Sequence, residues 1–240
     1  MKTKLGRQHV ILCEGYDDRS FWAGWLSEGL ACRDPTNKGT KRISDAWNRP
    51  VKDGRFLFES PTGEKILIHP FHGRSRARQA LGEYLDDVQA ESPDLLVLSI
   101  DSDATETTGD NVPGRSLFDQ IVRERAGSTE ISLVLWECND PHPTPGVPEK
   151  QTLERLVSAA IRAAYAGRGE AVERWLDAEP RAESTGPKSY GFSYLAKWYA
   201  DQGADDFYRA IWRDPDVARE LRSRLEASGA WAVAENLARD

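Results

Sequence analysis

The sequence predicts an α/β fold, in which helices cover a mainly parallel sheet of four strands and a helical extension follows. Short apolar runs alternate with helical segments over residues 1–148, which is the pattern of parallel strands joined by right-handed helical crossovers. Beyond this region the apolar residues recur at helical spacing. We therefore expect an α/β domain at 1–148 and a helical extension at 149–240 that packs on it.

The composition is typical of a soluble globular protein of the reducing cytoplasm. Of the 240 residues, 39% are hydrophobic and 30% are charged, and no apolar run approaches a membrane span. Three cysteines without paired spacing do not suggest a disulfide framework. The net charge of −7 argues against a broadly basic nucleic-acid surface. It still allows a local basic strip, or a site where metal ions carry the positive charge.

The first predicted strand ends in an acidic turn. Residues 10–13 are continuously apolar, as in a central parallel strand that is covered on both faces, and Glu14 follows directly. Either Asp17 or Asp18 can cap the helix that begins next, and Gly29 is a suitable end for it. This stretch therefore places acidic side chains at the carboxyl end of a buried strand.

The second core strand leads into a helix with a basic start. Residues 33–63 are rich in Arg, Lys, Gly and Pro, which indicates a loop-rich insertion with one short strand at 56–58. The core strand is predicted at 65–71 and the helix from about 75 to 89. The start of this helix either holds nucleic-acid phosphates or is an ordinary solvated face. The basic residues concerned are Arg74, Arg76 and Arg78.

A second acidic cluster follows the third core strand. The apolar run at 94–100 ends in Asp101, Ser102 and Asp103. Ligands of doubly wound sheets bind at the carboxyl ends of strands, so these acids would meet Glu14 if the first and third strands are neighbours. Clustered carboxylates repel one another, and divalent cations such as Mg²⁺ are the usual reason for bringing them together.

The remainder of the chain completes the alternation and then becomes helical. A helix is predicted at 115–125 and a fourth strand at 130–136, followed by a proline-rich loop at 139–148. The extension is predicted to contain five helices, at 151–166, 169–178, 191–202, 204–213 and 215–238.

These acidic motifs resemble the Toprim domain. Type IA and type II topoisomerases, bacterial primases, small ribosomal-RNA maturation nucleases and OLD-family nucleases share this domain, whose signature is a glutamate after the first strand and Asp-x-Asp after the third. Glu14 matches the glutamate, and Asp101 and Asp103 match the pair. The resemblance covers about residues 8–140 and implies a Rossmann-like fold.

Within that superfamily the chain is most similar to the OLD-family nucleases and to stand-alone Toprim proteins of bacterial and phage defence. Asp18 matches a second acid four residues after the glutamate, and Glu154 matches an acid at the start of a helix after the fourth strand. Lys188 matches a downstream lysine that assists at the scissile phosphate. The resemblance implies that one or two Mg²⁺ or Mn²⁺ ions bind Glu14, Asp18, Asp101, Asp103 and Glu154. It implies catalytic roles for Glu14, Asp101, Asp103 and Lys188.

The function implied by this resemblance is metal-dependent cleavage of phosphodiester bonds in DNA or RNA, by an endonuclease or nickase. OLD-family enzymes carry an ATPase, but this chain has no G-x-x-x-x-G-K-[ST] motif. The alternative is therefore a regulatory or nuclease subunit of a defence complex, active only with a separate ATPase. The parts that distinguish a topoisomerase or a primase are missing from the sequence. Both a monomer and a homodimer stay open.

Other residues could act as ligands, and other kinds of site have candidate residues in the sequence. Asp17 could replace Asp18 as a ligand, and Glu137 could join the cluster from the end of the fourth strand. A phosphatase-like enzyme ranks last because no covalent-phosphate motif is present, and the sequence also lacks G-x-S-x-G and G-x-G-x-x-G. A zinc site is disfavoured because its candidate ligands lack the usual spacing. Those candidates are His69, His72, His142, Cys13 and Cys138.

Overall fold

The computed structural model describes residues 6–35, 43–48, 50–52, 54–85, 92–102, 112–124, 131–140, 147–148, 150–178, 187–199 and 203–238. Asp103 and His142 lie outside these ranges. So do residues 36–42, 49 and 53 of the predicted insertion, and residues 86–89 of the helix predicted after the second core strand.

The described residues form one sheet of five strands, which corrects the prediction of four. The strands are β1 Gln8–Cys13, β2 Phe56–Glu59, β3 Lys65–Pro70, β4 Leu95–Asp101 and β5 Ile131–Trp136. Their order is β2-β3-β1-β4-β5. The additional strand is β2, the short strand expected within 33–63, and it pairs antiparallel with β3 at the edge. The other four strands run parallel to one another.

The position of β1 determines where a ligand can bind. This strand lies between β3 and β4, and Val10 pairs with Leu67 on one side and with Leu96 on the other. The chain builds from β1 toward one edge and then crosses back to the other side, so the strand order reverses between β1 and β4. Ligands of open α/β sheets bind at the carboxyl ends of the strands at this point. The condition on which the predicted acidic site depended, that these two strands are neighbours, is met.

Helices connect the strands and make up the second half of the chain. In the described ranges they are α1 Tyr16–Gly24, α2 Ala77–Leu85, α3 Gly114–Glu124, α4 Leu153–Ala164, α5 Ala166–Ala178, α6 Pro187–Trp198, α7 Ala204–Arg213, α8 Pro215–Ala227 and α9 Ala230–Ala238. A π-helical turn, Trp25–Gly29, extends α1 to the predicted glycine, and a 3-10 turn, Arg74–Arg76, precedes α2.

The prediction of a single helix at 215–238 is wrong, because two helices occupy this range. Gly229 has a φ of +80°, a left-handed conformation that favours glycine and ends α8. Leu225 and Trp231, on either side of the break, are both buried in the same core. They are six residues apart, which is not a helical spacing, so the apolar stripe changes register at the break.

Two apolar layers cover the two faces of the sheet. Leu12 and Leu98 point toward α2 and α3, whereas their strand neighbours Ile11 and Val97 lie in a core shared with α1 and the helices that follow β5. Successive strand residues face opposite sides, which explains why buried strands read as continuous apolar runs. The helices that follow β5 thus pack on this face of the sheet. Trp212 of α7 takes part in this core, where Trp25 stacks on it with ring centroids 5.7 Å apart.

The state of the cysteines and the character of the helices bear on two expectations from composition. Cys13, Cys32 and Cys138 are all buried and unpaired, as the lack of a disulfide framework predicted. None of the helices in the described ranges combines the length and the apolar character of a membrane span.

Candidate functional site

Four acidic side chains come together at the carboxyl ends of β1 and β4. Glu14 follows β1, Asp18 lies in the first turn of α1, Asp101 ends β4, and Glu154 lies in the first turn of α4. Burial raises the pKa of Asp101 well above its ordinary value, and the charges of Asp18, Glu14 and Glu154 raise it further. These four residues, predicted from separate parts of the sequence, therefore form one electrostatic cluster, which we call the acidic cluster.

Asp18 is held firmly inside the acidic cluster. Its side chain is 9% exposed, and both carboxylate oxygens accept hydrogen bonds, one from the indole Nε1 of Trp136 at 2.5 Å and one from the backbone N–H of Gly15 at 3.0 Å. The second bond closes the start of α1, so Asp18 also acts as the predicted helix-capping acid. Burial raises its pKa to about 7, and the charges of Glu14 and Glu154 contribute to the increase.

Asp101 connects β4 to the start of α4. Its Oδ1 accepts a hydrogen bond from the backbone N–H of Leu153 at 3.1 Å, one of the donors that are free at a helix N-terminus. The next residue along the chain is Glu154. Because the same contact anchors both residues, α4 brings its acid to the end of β4, and the positive end of its dipole partly offsets their charge.

Glu14 has a buried carboxylate oxygen that no described residue hydrogen-bonds. This atom, Oε2, has no hydrogen-bond partner, and its nearest cation is Nη2 of Arg74 at 3.6 Å. The backbone of Glu14 is fixed, since its carbonyl accepts a hydrogen bond from the N–H of Gly73 at 2.9 Å. The acidic cluster thus contains an oxygen that is positioned but not satisfied.

Arg74 lies against the acidic cluster instead of facing solvent. Its side chain is 6% exposed. Nη2 donates to the backbone carbonyl of Asp101 and Nη1 donates to that of Val112, both at 2.8 Å. One buried guanidinium therefore contacts the ends of both β1 and β4. No pattern in the sequence separates this arginine from its two basic neighbours.

The other two arginines of the predicted basic cluster point elsewhere. Arg78 pairs with Glu124 of α3, with Nε 3.0 Å from Oε2, and also bonds Gln120. Arg76 is exposed and makes no ion pair with another described residue. Because the three arginines diverge at the 3-10 turn, they do not form one continuous basic surface.

The positions of four predicted residues in or near the acidic cluster are informative. The side chain of Glu154 packs on α6, where a Cβ on Gly191 would lie 3.7 Å from its Cγ. Lys188 lies in the first turn of α6, one turn before Gly191. Glu137 follows β5 and accepts a weak hydrogen bond from Ser102 at 3.5 Å. Asp17 is only half-buried, whereas Asp18 is buried with the other acids.

Two aromatic residues of the site were not foreseen. Trp136 holds Asp18 from the end of β5, and Tyr208 of α7 is buried nearby. Burial raises the pKa of Tyr208 well above its ordinary value, and the charges of Asp17, Glu154 and the acids beside them raise it further. Both residues are ordinary core positions by spacing, so only the packing of β5 and α7 shows that they line the acidic cluster.

The described part of the chain, which excludes Asp103, contains no group of three or more His, Cys, Asp or Glu side chains already arranged to hold a metal ion. The zinc ligands considered from the sequence are likewise separated in it. His69 is bonded to Tyr84 at 3.0 Å, and Cys13 is buried in the core.

Comparison with known proteins adds information about the fold. No protein-family model and no curated protein matches the chain. Among solved structures, the chain is similar to a hypothetical protein, PH0156, from Pyrococcus horikoshii OT3. The two are 18% identical with a TM-score of 0.66, and the match covers 97% of this chain and 100% of that chain. The similarity therefore extends over the sheet and the helices that follow it, and at this identity it concerns the fold alone.

Proposed function

We propose that this protein is a nuclease that hydrolyses phosphodiester bonds of DNA or RNA with Mg²⁺ or Mn²⁺ held by the acidic cluster. One observation carries the proposal, which is the meeting of four carboxylates at the point where the strand order reverses. A buried group of acids is costly to maintain without a cation, and catalytic sites are where such costs are found. The Toprim resemblance of the sequence supplies the reaction class.

The side chains of the acidic cluster suit a hard divalent cation. All of its ligand atoms are carboxylate oxygens, which Mg²⁺ and Mn²⁺ prefer. The unsatisfied Oε2 of Glu14 is the strongest local indication, because a buried anionic oxygen without a hydrogen bond is unfavourable. Burial raises the pKa values of Asp18 and Asp101, and the charges of the neighbouring acids raise them further, which is an electrostatic cost that a bound divalent cation would reduce.

When bound, a divalent ion would act as a Lewis acid that polarises the phosphate and lowers the pKa of an attacking water. The protein's own residues would set the geometry. Trp136 and the N–H of Gly15 fix the orientation of Asp18, and the N-terminus of α4 fixes Asp101. Fixed ligands are required because a displacement of about 1 Å in a catalytic group can reduce the rate about a hundredfold.

The remaining residues would accept a proton, bind the metal ion or stabilise charge at the phosphate. Glu14 is our candidate for either a ligand or the general base, because its free oxygen can accept the proton of the attacking water. Lys188 and Asp103 keep the roles implied by the resemblance, namely charge stabilisation at the scissile phosphate and metal ligation. The backbone of Lys188 is one turn from that of Gly191, which lies beside the side chain of Glu154, and this position in α6 supports the role.

The proposal can be tested by cleavage assays on purified protein. Supercoiled plasmid, single-stranded DNA and single-stranded RNA are incubated with Mg²⁺, Mn²⁺ or EDTA. We expect the wild type to cut at least one substrate only with metal, and Glu14→Gln and Asp101→Asn to lose at least a hundredfold in rate. Asp119→Asn, which removes the charge of an exposed acid on α3, should retain activity.

Two results would contradict the nuclease proposal. One is a wild type that cuts none of the three substrates with either metal. The other is equal cleavage by the wild type and by Asp101→Asn. If the acidic cluster binds Mg²⁺ but no substrate is cut, the alternative of a subunit that depends on a separate ATPase becomes the better explanation.

A further inference from the structure

A polar surface pocket opens at the carboxyl end of β3, next to the acidic cluster. Its volume is about 410 Å³, and His69, His72, Arg76, Gln79 and Glu83 line it. Two contacts join it to the first acidic turn: the N–H of Gly73 bonds the carbonyl of Glu14, and the ring of Tyr16 meets that of His72 with centroids 4.7 Å apart. The pocket and the acidic cluster therefore lie on the same edge of the sheet.

An unusual backbone turn shapes the pocket. His72 and Gly73 have φ values of +60° and +104°, so two consecutive residues adopt left-handed conformations directly after β3. This conformation is uncommon for a residue other than glycine, and strained residues of this kind cluster at functional sites. The turn brings His72 to the rim. The opposite wall is one face of the helix that follows, because Arg76, Gln79 and Glu83 are spaced by three and four residues.

The polar groups at the floor of the pocket contribute little free charge, because each has a partner. His69 is buried, with Nδ1 3.0 Å from the hydroxyl of Tyr84 and Nε2 3.3 Å from Nη2 of Arg55. Since an arginine only donates, Nε2 is the acceptor and Nδ1 carries the proton. Burial and the charges of Arg55 and His72 lower the pKa of His69 to about 3, so it stays neutral. Nη2 of Arg55 also bonds Glu83 at 2.8 Å, which offsets that carboxylate.

The groups that the pocket presents to a ligand are therefore mainly hydrogen-bond donors and positive charge. Arg76 has no ion-pair partner among the described residues, and its guanidinium presents several N–H groups. Gln79 adds an amide, His72 adds a ring N–H, and the first turn of α2 adds the positive end of a helix. An apolar ligand would find few partners here, and a cation would be repelled by Arg76.

We infer that this pocket binds a phosphate group of the nucleic-acid strand that the acidic cluster cleaves. The inference rests on the proposed function. A polyanion that approaches four carboxylates is repelled and needs an anchor of the opposite charge. β3 and β4 are two strand spacings apart, which is about 10 Å, so one strand of nucleic acid can contact both sites. Arginine suits this role because its planar fork matches phosphate oxygens.

Binding without cleavage tests the inference separately from the nuclease proposal. The full-length protein is titrated in EDTA into a fluorescently labelled single-stranded 12-nucleotide DNA, and an RNA of the same sequence is measured in parallel. Arg76→Ala should weaken binding about tenfold or more and lower the slope of log K against log salt by about one. Inorganic phosphate should compete with the oligonucleotide for the wild type but not for this variant.

Two further variants give the control and the independent check. Arg123→Ala removes the same charge from an exposed position at the far end of α3 and should change the affinity less than twofold. Gln79→Glu places a negative charge in the pocket wall without removing side-chain bulk, and should weaken binding at least as much as Arg76→Ala. Equal affinities for the wild type, Arg76→Ala and Gln79→Glu would overturn the inference.

The same assays separate failure of the pocket from failure of the catalytic site. If the wild type cleaves nucleic acid but Arg76→Ala binds it normally, the pocket inference is wrong and the nuclease proposal stands. If Arg76 controls binding but no metal supports cleavage, the pocket inference stands alone. A wild type that binds neither oligonucleotide in EDTA would refute the phosphate site.

Discussion

The free energy of unfolding of the metal-free protein should fall as the pH rises from about 4 to about 7, because Asp18 is buried among other acids. Its pKa rises from 3.8 to about 7 on folding, through burial and the charges of Glu14 and Glu154. Below 3.8 both folded and unfolded chains bind the proton. At intermediate pH the folded chain keeps a proton that the unfolded chain has lost, so each pH unit costs the folded state about 1.4 kcal/mol.

The size of this effect follows from the shift itself. Above pH 7 the full cost is present, and it amounts to about 4 kcal/mol for Asp18 alone. Asp101 shifts in the same direction and adds to the effect. A little more than a third of this cost is already present at pH 5, so the part that develops between pH 5 and pH 8 is about 3 kcal/mol.

Asp18→Asn isolates this contribution. The amide cannot ionise, but it also loses one of the two acceptors that Gly15 and Trp136 use, which costs roughly 1–3 kcal/mol at every pH. The useful quantity is therefore the stability of the variant minus that of the wild type. This difference should increase by about 3 kcal/mol from pH 5 to pH 8, because the loss of a hydrogen bond cancels between the two conditions.

Urea unfolding in EDTA, followed by tryptophan fluorescence, measures the difference directly. The control is Asp119→Asn, an exposed acid whose substitution should leave the difference unchanged with pH. Adding Mg²⁺ at pH 8 should stabilise the wild type, by about 2.7 kcal/mol at a hundred times the dissociation constant, and stabilise Asp18→Asn less. If the difference stays constant within about 0.5 kcal/mol from pH 5 to pH 8, Asp18 does not lie in a buried acidic cluster.

Four glycine substitutions give further predictions, each measured by urea unfolding. Gly114→Ala places a Cβ against the carbonyl of Asp101, so we expect a loss of about 1–3 kcal/mol and weaker Mg²⁺ binding by isothermal titration calorimetry. Gly24→Ala places a Cβ 2.7 Å from a backbone oxygen of α7 and should cost a similar amount without changing metal affinity per folded molecule. Gly229→Ala should cost about 1 kcal/mol because of its φ of +80°. Gly167→Ala meets nothing within 4 Å in α5 and should instead stabilise by about 0.5 kcal/mol.

The strands of the fold were predictable because their signal is local. The runs that became β1 and β4 are continuously apolar and end at charged residues, so their limits were predicted to within about two residues. The break between α8 and α9 was not predicted, because the apolar stripe shifts by only about one residue between Leu225 and Ala230. The local signal of the break is Gly229, and a single glycine inside a helical pattern is not sufficient to show that a helix ends there.

The features of the site also divide into those that a local pattern predicts and those that depend on long-range packing. Glu14 and Asp101 could be selected from the sequence because each follows an apolar strand, but the pairing of β1 with β4 is a long-range property that no local pattern encodes. Trp136 is a second example, since its hydrogen bond to Asp18 joins residues 118 positions apart. The sequence predicts the chemistry of the acidic motif after each strand, but it does not show that the two motifs meet.

The position of Arg74 is another long-range property that the sequence did not predict, and it bears on the proposed mechanism. By spacing it belongs with Arg76 as an exposed base, but the left-handed turn before it rotates it inward, where it bonds the carbonyls of Asp101 and Val112. Between these two carbonyls the chain contains residues 102–111, including Asp103. The guanidinium therefore ties together both ends of the segment that carries the second acid of the D-x-D motif, and it lies 3.6 Å from Glu14. One cation cannot neutralise four carboxylates, so Arg74 leaves the acidic cluster with the negative charge on which our proposal of a divalent-ion site depends.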